Sequence, residues 1–454
     1  MAPDHRGWAV LPEEFADFLV STPQRYHTVG EFRALLGLEL SEAGSILRTL
    51  HNSNLIQVGP HPLTGPMIPR GVRPPNFLIL RLTENCNLRC LYCYEDAGAA
   101  KRGVDLSPTI ACKAIDEFLD VCGPTMNLLF IGGEALLMRE LMLQVAEYGR
   151  HAAERCGKEL HFSLQSNGTV WAPWILDFAR EYRVAIGLSF DANYKSHDFA
   201  RPFDSGKGSA AVTWKNIQSM LAEGLNVSLM ITLGNHNLGT IIEDLLRLQA
   251  EGIERVKFSI LSNQGRCRDA AGFLLVAQAY AEMMWRLIGE IEAGRIWTLR
   301  VEQIMNTLHR LMLLDDLVIC EAAPCGAASE FVSVMPDGKY YPCDTFDRIE
   351  EFTMGKVGEG LSGSQQATDI RQRLLSRTTN LMEPCRDCEN RSVCSAGCAK
   401  DAHARYGTIS LRDPFFCEVS KALLPKIMWK LGSEPRSRLR DYYFEHFAYA
   451  MPIF

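Results

Sequence analysis

From residue 77 onward, short apolar segments with strand character alternate with amphipathic helical segments. The intervening stretches, such as 108–122 and 141–156, place apolar residues at helical spacing. Six segments are predicted as strands: 77–83, 126–133, 160–168, 185–192, 226–234 and 255–261. Such alternation requires parallel pairing through βαβ crossovers, in either an open sheet or a partial barrel.

Polar residues cluster where these predicted strands end. Cys86, Cys90 and Cys93 follow the first strand, and Glu134 ends the second. Asn167, Ser189 and Asp191 fall at the ends of the third and fourth strands. Because the carboxyl ends of parallel strands share one edge, these side chains are expected to form a single active site.

Composition excludes several classes of function. The 454 residues carry a net charge of −7, which argues against broad binding to nucleic acid or to a membrane surface. The first residues do not resemble a signal peptide, and no apolar run is long enough to span a bilayer. A cytoplasmic location is therefore expected. In that reducing compartment, clustered cysteines among the fifteen indicate metal ligands rather than disulfides.

Pattern changes along the chain indicate five segments. Residues 1–60, with three helical patterns and a short strand, are predicted as a winged-helix-like module, and 61–76 as a proline-rich linker. The alternating core covers 77–318. A cysteine-rich domain follows at 319–420, and 421–454 form a C-terminal helix and tail.

Three cysteines within eight positions leave a metal site one ligand short. A structural zinc site or an ordinary iron–sulfur cluster takes four ligands, so either a distant residue completes a zinc site or one iron of a 4Fe–4S cluster stays open. The stretch CNLRCLYC, residues 86–93, resembles the CxxxCxxC signature of radical S-adenosylmethionine (SAM) enzymes. The resemblance implies a partial (β/α)6 TIM-like barrel. It also implies that SAM occupies the open iron and yields a 5′-deoxyadenosyl radical, with electrons from a flavodoxin or ferredoxin.

Further segments resemble the SAM-contacting parts of that family. Gly132, Gly133 and Glu134 resemble its GGE motif, although Ala135 stands where proline is usual. The stretches 165–171 and 189–201 resemble polar segments of peptide-modifying members. The resemblance implies the following SAM-site residues: Tyr92, Gly132, Gly133, Glu134, Asn167, Ser189 and Asp191. Simple turn chemistry is the alternative for Asn167 and Asp191.

The eight C-terminal cysteines are similar to the SPASM extension of radical SAM proteins. The resemblance implies two auxiliary 4Fe–4S clusters, which with the SAM-binding cluster makes three. One set of ligands would be Cys320, Cys325, Cys343 and Cys398, and the other Cys385, Cys388, Cys394 and Cys417. Two zinc sites are the alternative, because CxxC pairs also bind zinc.

These features predict an enzyme that modifies a ribosomally made precursor peptide, forming a thioether or carbon–carbon crosslink. The acidic module of residues 1–60 resembles a leader-peptide recognition domain, and its few arginines make it a poor DNA binder. One rival is a sulfatase-maturing oxidase, in which Asp344 after Cys343 would be the catalytic base. Another is a non-catalytic iron–sulfur regulator that binds DNA.

Overall fold

The computed structural model describes most of the chain from residue 73 onward. The described residues are 8, 9, 11, 32–34, 37–52, 55, 73–98, 103–261, 263–313, 319–361, 364–434 and 436–447. Most of the predicted module at 1–60 and of the linker at 61–76 lies outside them. Of the module, helix α1, Leu40–Asn52, is described. The winged-helix-like fold therefore stays a prediction.

Nine strands of the described chain form one sheet in the order β7-β6-β5-β4-β3-β2-β1-β8-β9. Every neighbouring pair from β7 to β8 is parallel, and β9 pairs antiparallel with β8. The sheet is not closed into a full barrel. The strands are β1 Phe77–Arg81, β2 Thr125–Ile131, β3 Glu159–Ser166, β4 Ala185–Ser189, β5 Val227–Leu233, β6 Arg255–Ile260, β7 Arg300–Val301, β8 Phe331–Val334 and β9 Tyr340–Tyr341. All six predicted strands are confirmed, as is the α/β partial barrel.

Helices connect consecutive parallel strands. The first crossover helix begins where the sequence provides a cap: the Ser107 hydroxyl accepts a hydrogen bond from Ile110 N, and Pro108 occupies the first turn. The helices after α1 are α2 Pro108–Leu119, α3 Arg139–Arg155, α4 Pro173–Glu181, α5 Tyr194–Ala200, α6 Ala210–Ala222, α7 Ile241–Ala250, α8 Ala277–Glu292, α9 Glu302–Leu313, α10 Gln365–Leu375, α11 Ala399–Tyr406, α12 Pro414–Ser433 and α13 Arg438–Phe447. No helix in the described part of the chain is both long enough and apolar enough to cross a membrane.

The two faces of the sheet have different surroundings. On β4 and β5 fully buried residues alternate with half-buried ones, as the period-2 geometry of a strand requires. The fully buried aliphatic residues join the main core. Four of the half-buried residues border a cavity together with Gln165 of β3 and Lys257 of β6: Ala185, Gly187, Ser228 and Met230.

The sheet crosses the boundary predicted at residue 319. Strand β8 belongs to the cysteine-rich segment, yet it pairs with β1 from Phe77↔Phe331 to Leu80↔Val334. Phe346 and Phe352 from the same segment are buried in the main core. The cysteine-rich segment is thus anchored against the strand that leads into the three-cysteine loop.

Candidate active site

The three-cysteine loop begins directly after β1. Cys86, Cys90 and Cys93 are all half-buried, and their thiols influence one another electrostatically. Two N–H groups donate to the Cys86 sulfur: Leu88 N at 3.4 Å and Asn167 Nδ2 at 3.8 Å. Donors directed at sulfur favour the thiolate form, which is the form that binds metal.

Burial opposes that form until a metal binds. It raises the pKa of Cys86 to about 11 and that of Cys90 to about 12. A soft metal centre would displace these protons, because thiolates are its preferred ligands. Three sulfur donors with N–H groups already directed at one of them fit a 4Fe–4S cluster with one iron left for an outside ligand.

Backbone hydrogen bonds hold the GGE turn against this loop. Gly133 N donates to Thr83 O at 2.7 Å, and Glu134 N donates to Asn85 O at 2.8 Å. A Cβ atom on Gly133 would lie 2.3 Å from the Asn85 carbonyl oxygen, a distance that real contacts do not allow. Glycine is therefore required where the second strand end meets the residues before Cys86.

Replacing Gly133 with alanine is expected to separate the two segments. Overpacking of this kind typically lowers the free energy of unfolding by about 1–3 kcal/mol. The backbone that must move is that of Asn85, directly before the cysteine loop. We expect a lower urea midpoint and weaker SAM binding by isothermal titration of the reconstituted protein. Gly239→Ala is the matched control, because an added Cβ there meets no atom within 4 Å. Equal SAM affinity in the two variants would contradict this role of Gly133.

Glu134 is buried and has protein partners for both carboxylate oxygens. Oε1 accepts from Leu136 N at 3.0 Å and from Ser166 Oγ at 2.8 Å, and Oε2 accepts from Asn167 N at 2.8 Å. Burial raises its pKa in spite of these three donors. Glu134 therefore joins the end of β2 to the end of β3.

Asn167 links the third strand end to the cysteine loop. Its Nδ2 donates to Asn87 Oδ1 at 2.8 Å, in addition to its contact with the Cys86 sulfur. Its Oδ1 accepts from Thr169 N at 3.0 Å, so it also makes the turn expected of asparagine. Ser189, at the end of β4, accepts from Gln165 Nε2 at 3.2 Å and is half-buried on the inner face.

Asp191 lies at the centre of a buried group beside the loop. It accepts from Tyr92 Oη, from Arg201 Nε at 3.2 Å and from Thr232 N at 3.2 Å. Burial alone would raise the pKa of Asp191, but the Arg201 charge, His236 and Tyr92 lower it to about 2. Asp191 is thus ionised, and it fixes the ring of Tyr92 within the cysteine loop.

Arg201 is the residue of this group that sequence reasoning did not assign to the site. Its guanidinium carbon lies 5.2 Å from the centre of the Tyr92 ring, and its charge favours the thiolate of Cys90. A signal was present, because Arg201 is the last residue of the stretch 189–201 that resembles polar segments of peptide-modifying members. Only the folded helix α5 brings the two side chains together.

The eight C-terminal cysteines lie in two groups. Cys325, Cys343 and Cys398 influence one another electrostatically, and Cys320 interacts with Cys325. Cys385, Cys388, Cys394 and Cys417 line one cavity. The grouping follows the two predicted ligand sets. Within the described residues, no three His, Cys, Asp or Glu side chains are placed to hold a single metal ion, so metal content has to be measured.

Comparison with known proteins bears directly on the cysteine loop. The family model described as the Radical SAM superfamily matches residues 80–248, a span that includes Cys86, Cys90, Cys93 and the GGE turn. Residues 80–248 therefore form a radical SAM domain. Its relatives include enzymes that act on peptides or proteins, so the chain is a radical SAM enzyme.

Two relatives illustrate the range of activities in the superfamily. A cysteine-type anaerobic sulfatase-maturating enzyme of Clostridium novyi is 24% identical over 375 residues, which cover 78% of this chain and 96% of that protein. The PqqA peptide cyclase of Granulibacter bethesdensis is 24% identical over 376 residues, covering 77% and 89%.

Two solved structures share the fold. A structure of anSMEcpe with bound AdoMet aligns with a TM-score of 0.67 at 16% identity, covering 82% of this chain and 99% of that one. Streptococcus suis SuiB bound to precursor peptide SuiA aligns with a TM-score of 0.53 at 12% identity, covering 89% of each. The radical SAM domain implies SAM and a 4Fe–4S cluster as cofactors.

Asp344 lies beside both the three-cysteine loop and the first group of C-terminal cysteines. It follows Cys343 directly and accepts a hydrogen bond from Tyr94 Oη, next to Cys93, at 3.1 Å. Nearby, Arg81 at the end of β1 donates to Asp347 at 2.8 and 2.9 Å and pairs with Glu95 at 3.2 Å. These buried contacts tie the cysteine loop to the turn that carries Asp344.

Proposed function

We propose that this radical SAM enzyme modifies a ribosomally made precursor peptide, forming a thioether or carbon–carbon crosslink between side chains. The observation that carries the proposal is the Tyr94–Asp344 hydrogen bond at 3.1 Å. It holds a carboxylate between the SAM-site loop and a cysteine of the first C-terminal group. Crosslink formation removes one hydrogen atom, one proton and one further electron from the peptide: the 5′-deoxyadenosyl radical would take the hydrogen atom, Asp344 the proton, and an auxiliary cluster the electron.

In this proposal the loop residues have separate roles. Cys86, Cys90 and Cys93 would hold the 4Fe–4S cluster, which together with SAM would supply the 5′-deoxyadenosyl radical. The turn of Gly132 and Gly133 would accommodate the SAM amino group, while Glu134 holds that turn in place. Tyr92, Asn167, Ser189 and Asp191 would complete the SAM site, and Arg201 would hold Asp191 in position through their ion pair.

We assign the two C-terminal cysteine groups to two auxiliary 4Fe–4S clusters. Each group supplies four thiols, which is the number that a fully protein-bound cluster takes. The grouping in space and the cavity lined by Cys385, Cys388, Cys394 and Cys417 support the assignment. Iron and zinc analysis of anaerobically reconstituted protein tests it, since stoichiometric zinc with little iron would refute it.

The decisive experiment supplies the peptide. Reduced enzyme and SAM are incubated anaerobically with each short peptide encoded by an open reading frame next to the gene, with dithionite or flavodoxin as electron donor. We expect 5′-deoxyadenosine together with a peptide that has lost two hydrogen atoms and that resists labelling by a hydrazide. SAM cleavage with an unchanged peptide mass would count against the proposal.

Sulfatase maturation is the second candidate, because Asp344 stands directly after Cys343 and the anSMEcpe fold matches over almost its full length. A sulfatase-derived cysteine peptide separates the two functions. Its conversion to an aldehyde that reacts with the hydrazide would support a sulfatase-maturing oxidase and would count against crosslinking.

We further propose that the module of residues 1–60 binds the leader of the precursor. Deleting these residues is expected to weaken binding of a fluorescent leader peptide and to leave SAM cleavage intact, because the SAM-site residues all lie beyond residue 80. Fluorescence anisotropy measures the binding. Trp8 donates to Leu311 O at 2.9 Å, so thermal unfolding of the truncated protein is the required control. Unchanged leader affinity would make the module structural.

A further inference from the structure

The cavity lined by Cys385, Cys388, Cys394 and Cys417 is cationic. Its lining also includes Arg391, Arg412 and Lys421, and no carboxylate is among the residues that border it. The remaining lining residues are neutral: Thr379, Pro384, Asn390, Ala396 and Ser420. Four thiolates in this cavity would therefore face three positive charges.

One of these cations contacts a sulfur directly. Arg412 Nε donates to Cys417 Sγ at 3.0 Å, which is close for a hydrogen bond to sulfur. Ala396 N donates to Cys394 Sγ at 3.4 Å. A charged N–H donor on a ligand sulfur stabilises additional negative charge more strongly than a neutral one.

The first cysteine group has different surroundings. Carboxylates interact electrostatically with its thiols: Asp344 with Cys343 and Cys320, Asp401 with Cys398, and Glu330 with Cys325. Cations are present there as well, namely Lys257, Arg377 and Lys400. Charges of both signs thus border the first group, whereas only positive charges line the cavity of the second.

We infer that Arg412, with Arg391 and Lys421, raises the reduction potential of the cluster held by Cys385, Cys388, Cys394 and Cys417 above that of the cluster in the first group. Reduction adds one negative charge to a 4Fe–4S cluster, and nearby cations and N–H···S bonds stabilise that charge. A single electron shared between the two clusters would then reside on the second. The inference rests on the auxiliary clusters proposed above.

Potentiometric titration followed by electron paramagnetic resonance tests this. The full-length chain with Cys86, Cys90 and Cys93 replaced by alanine retains only the auxiliary clusters, so its two reduction steps can be measured without the SAM-binding cluster. In this background Arg412→Met is expected to shift the higher of the two potentials to a more negative value and to leave the lower one unchanged. Lys421→Met, at a more exposed position, should shift the same step by less.

A control variant and the iron content distinguish failure of the inference from failure of the cluster assignment. Arg405→Met is the matched control, because Arg405 is exposed and does not line the cavity, and it should shift neither potential. Unchanged reduction potentials in iron-replete Arg412→Met protein would overturn the inference but would not contradict the assignment of the two auxiliary clusters. Absence of iron from the background protein would refute the clusters and the inference together. If Arg412→Met cannot hold its cluster, an unmoved potential in Lys421→Met would overturn the inference.

Discussion

Replacing Cys86, Cys90 and Cys93 together with alanine is expected to abolish SAM cleavage and to remove about one third of the iron. Three 4Fe–4S clusters hold about twelve irons, and the triple variant would lose about four of them. The loss of cleavage should be complete, because SAM has no iron to bind once these ligands are gone. Iron analysis and quantification of 5′-deoxyadenosine by liquid chromatography measure the two effects.

Cys156→Ala is the control for this experiment. Cys156 ends α3, is exposed, and belongs to neither the loop nor the two C-terminal groups. This variant should retain its iron and its cleavage activity. Cleavage that persisted in the triple variant would exclude the assignment of the SAM-binding cluster to this loop.

Asp344→Asn is expected to separate SAM cleavage from peptide modification. The amide keeps the shape of the side chain and can still accept from Tyr94, but it cannot take a proton. General-base catalysis typically contributes roughly 10²- to 10⁴-fold, so modified peptide should fall by about that factor. Formation of 5′-deoxyadenosine and the iron content should stay at the level of the unsubstituted enzyme.

Two further variants test whether Asp344 acts by accepting a proton or only by stabilising the local structure. Tyr94→Phe removes the hydroxyl that donates to Asp344, so it should lower product formation by less than Asp344→Asn does. Asp337→Asn changes an exposed turn in the same segment and should have no effect on product formation. Full product yield from Asp344→Asn with intact clusters would assign Asp344 a purely structural role.

Much of the radical SAM core could be predicted from local patterns. The six predicted strands and the crossover helices are present because strand and helix periodicities are local properties of the chain. Placement of the cysteine loop, the GGE turn and Asn167 at one edge also follows, since parallel strands align their carboxyl ends. The short strands β7, β8 and β9 were not predicted, because two, four and two residues carry too little periodicity.

The contacts between distant segments could not be predicted in this way. Arg201 meets Asp191 and Tyr92 only because α5 folds back over the end of β4. Tyr94 and Asp344 are 250 residues apart in sequence, and Arg81 and Asp347 are 266 apart. No local pattern specifies such pairs, which depend on β8 aligning beside β1.

The sequence by itself therefore determined the chemistry that is available: thiols for iron, glycines for a close turn, and the aspartate that directly follows Cys343. Spacing and residue type suffice for these, because ligand number and turn geometry are local requirements. The tertiary structure alone decided the environment of each group. It half-buried the cysteines of the loop, ionised Asp191 beside Arg201, and placed Arg412 against Cys417, since burial and charge proximity depend on which segments pack together.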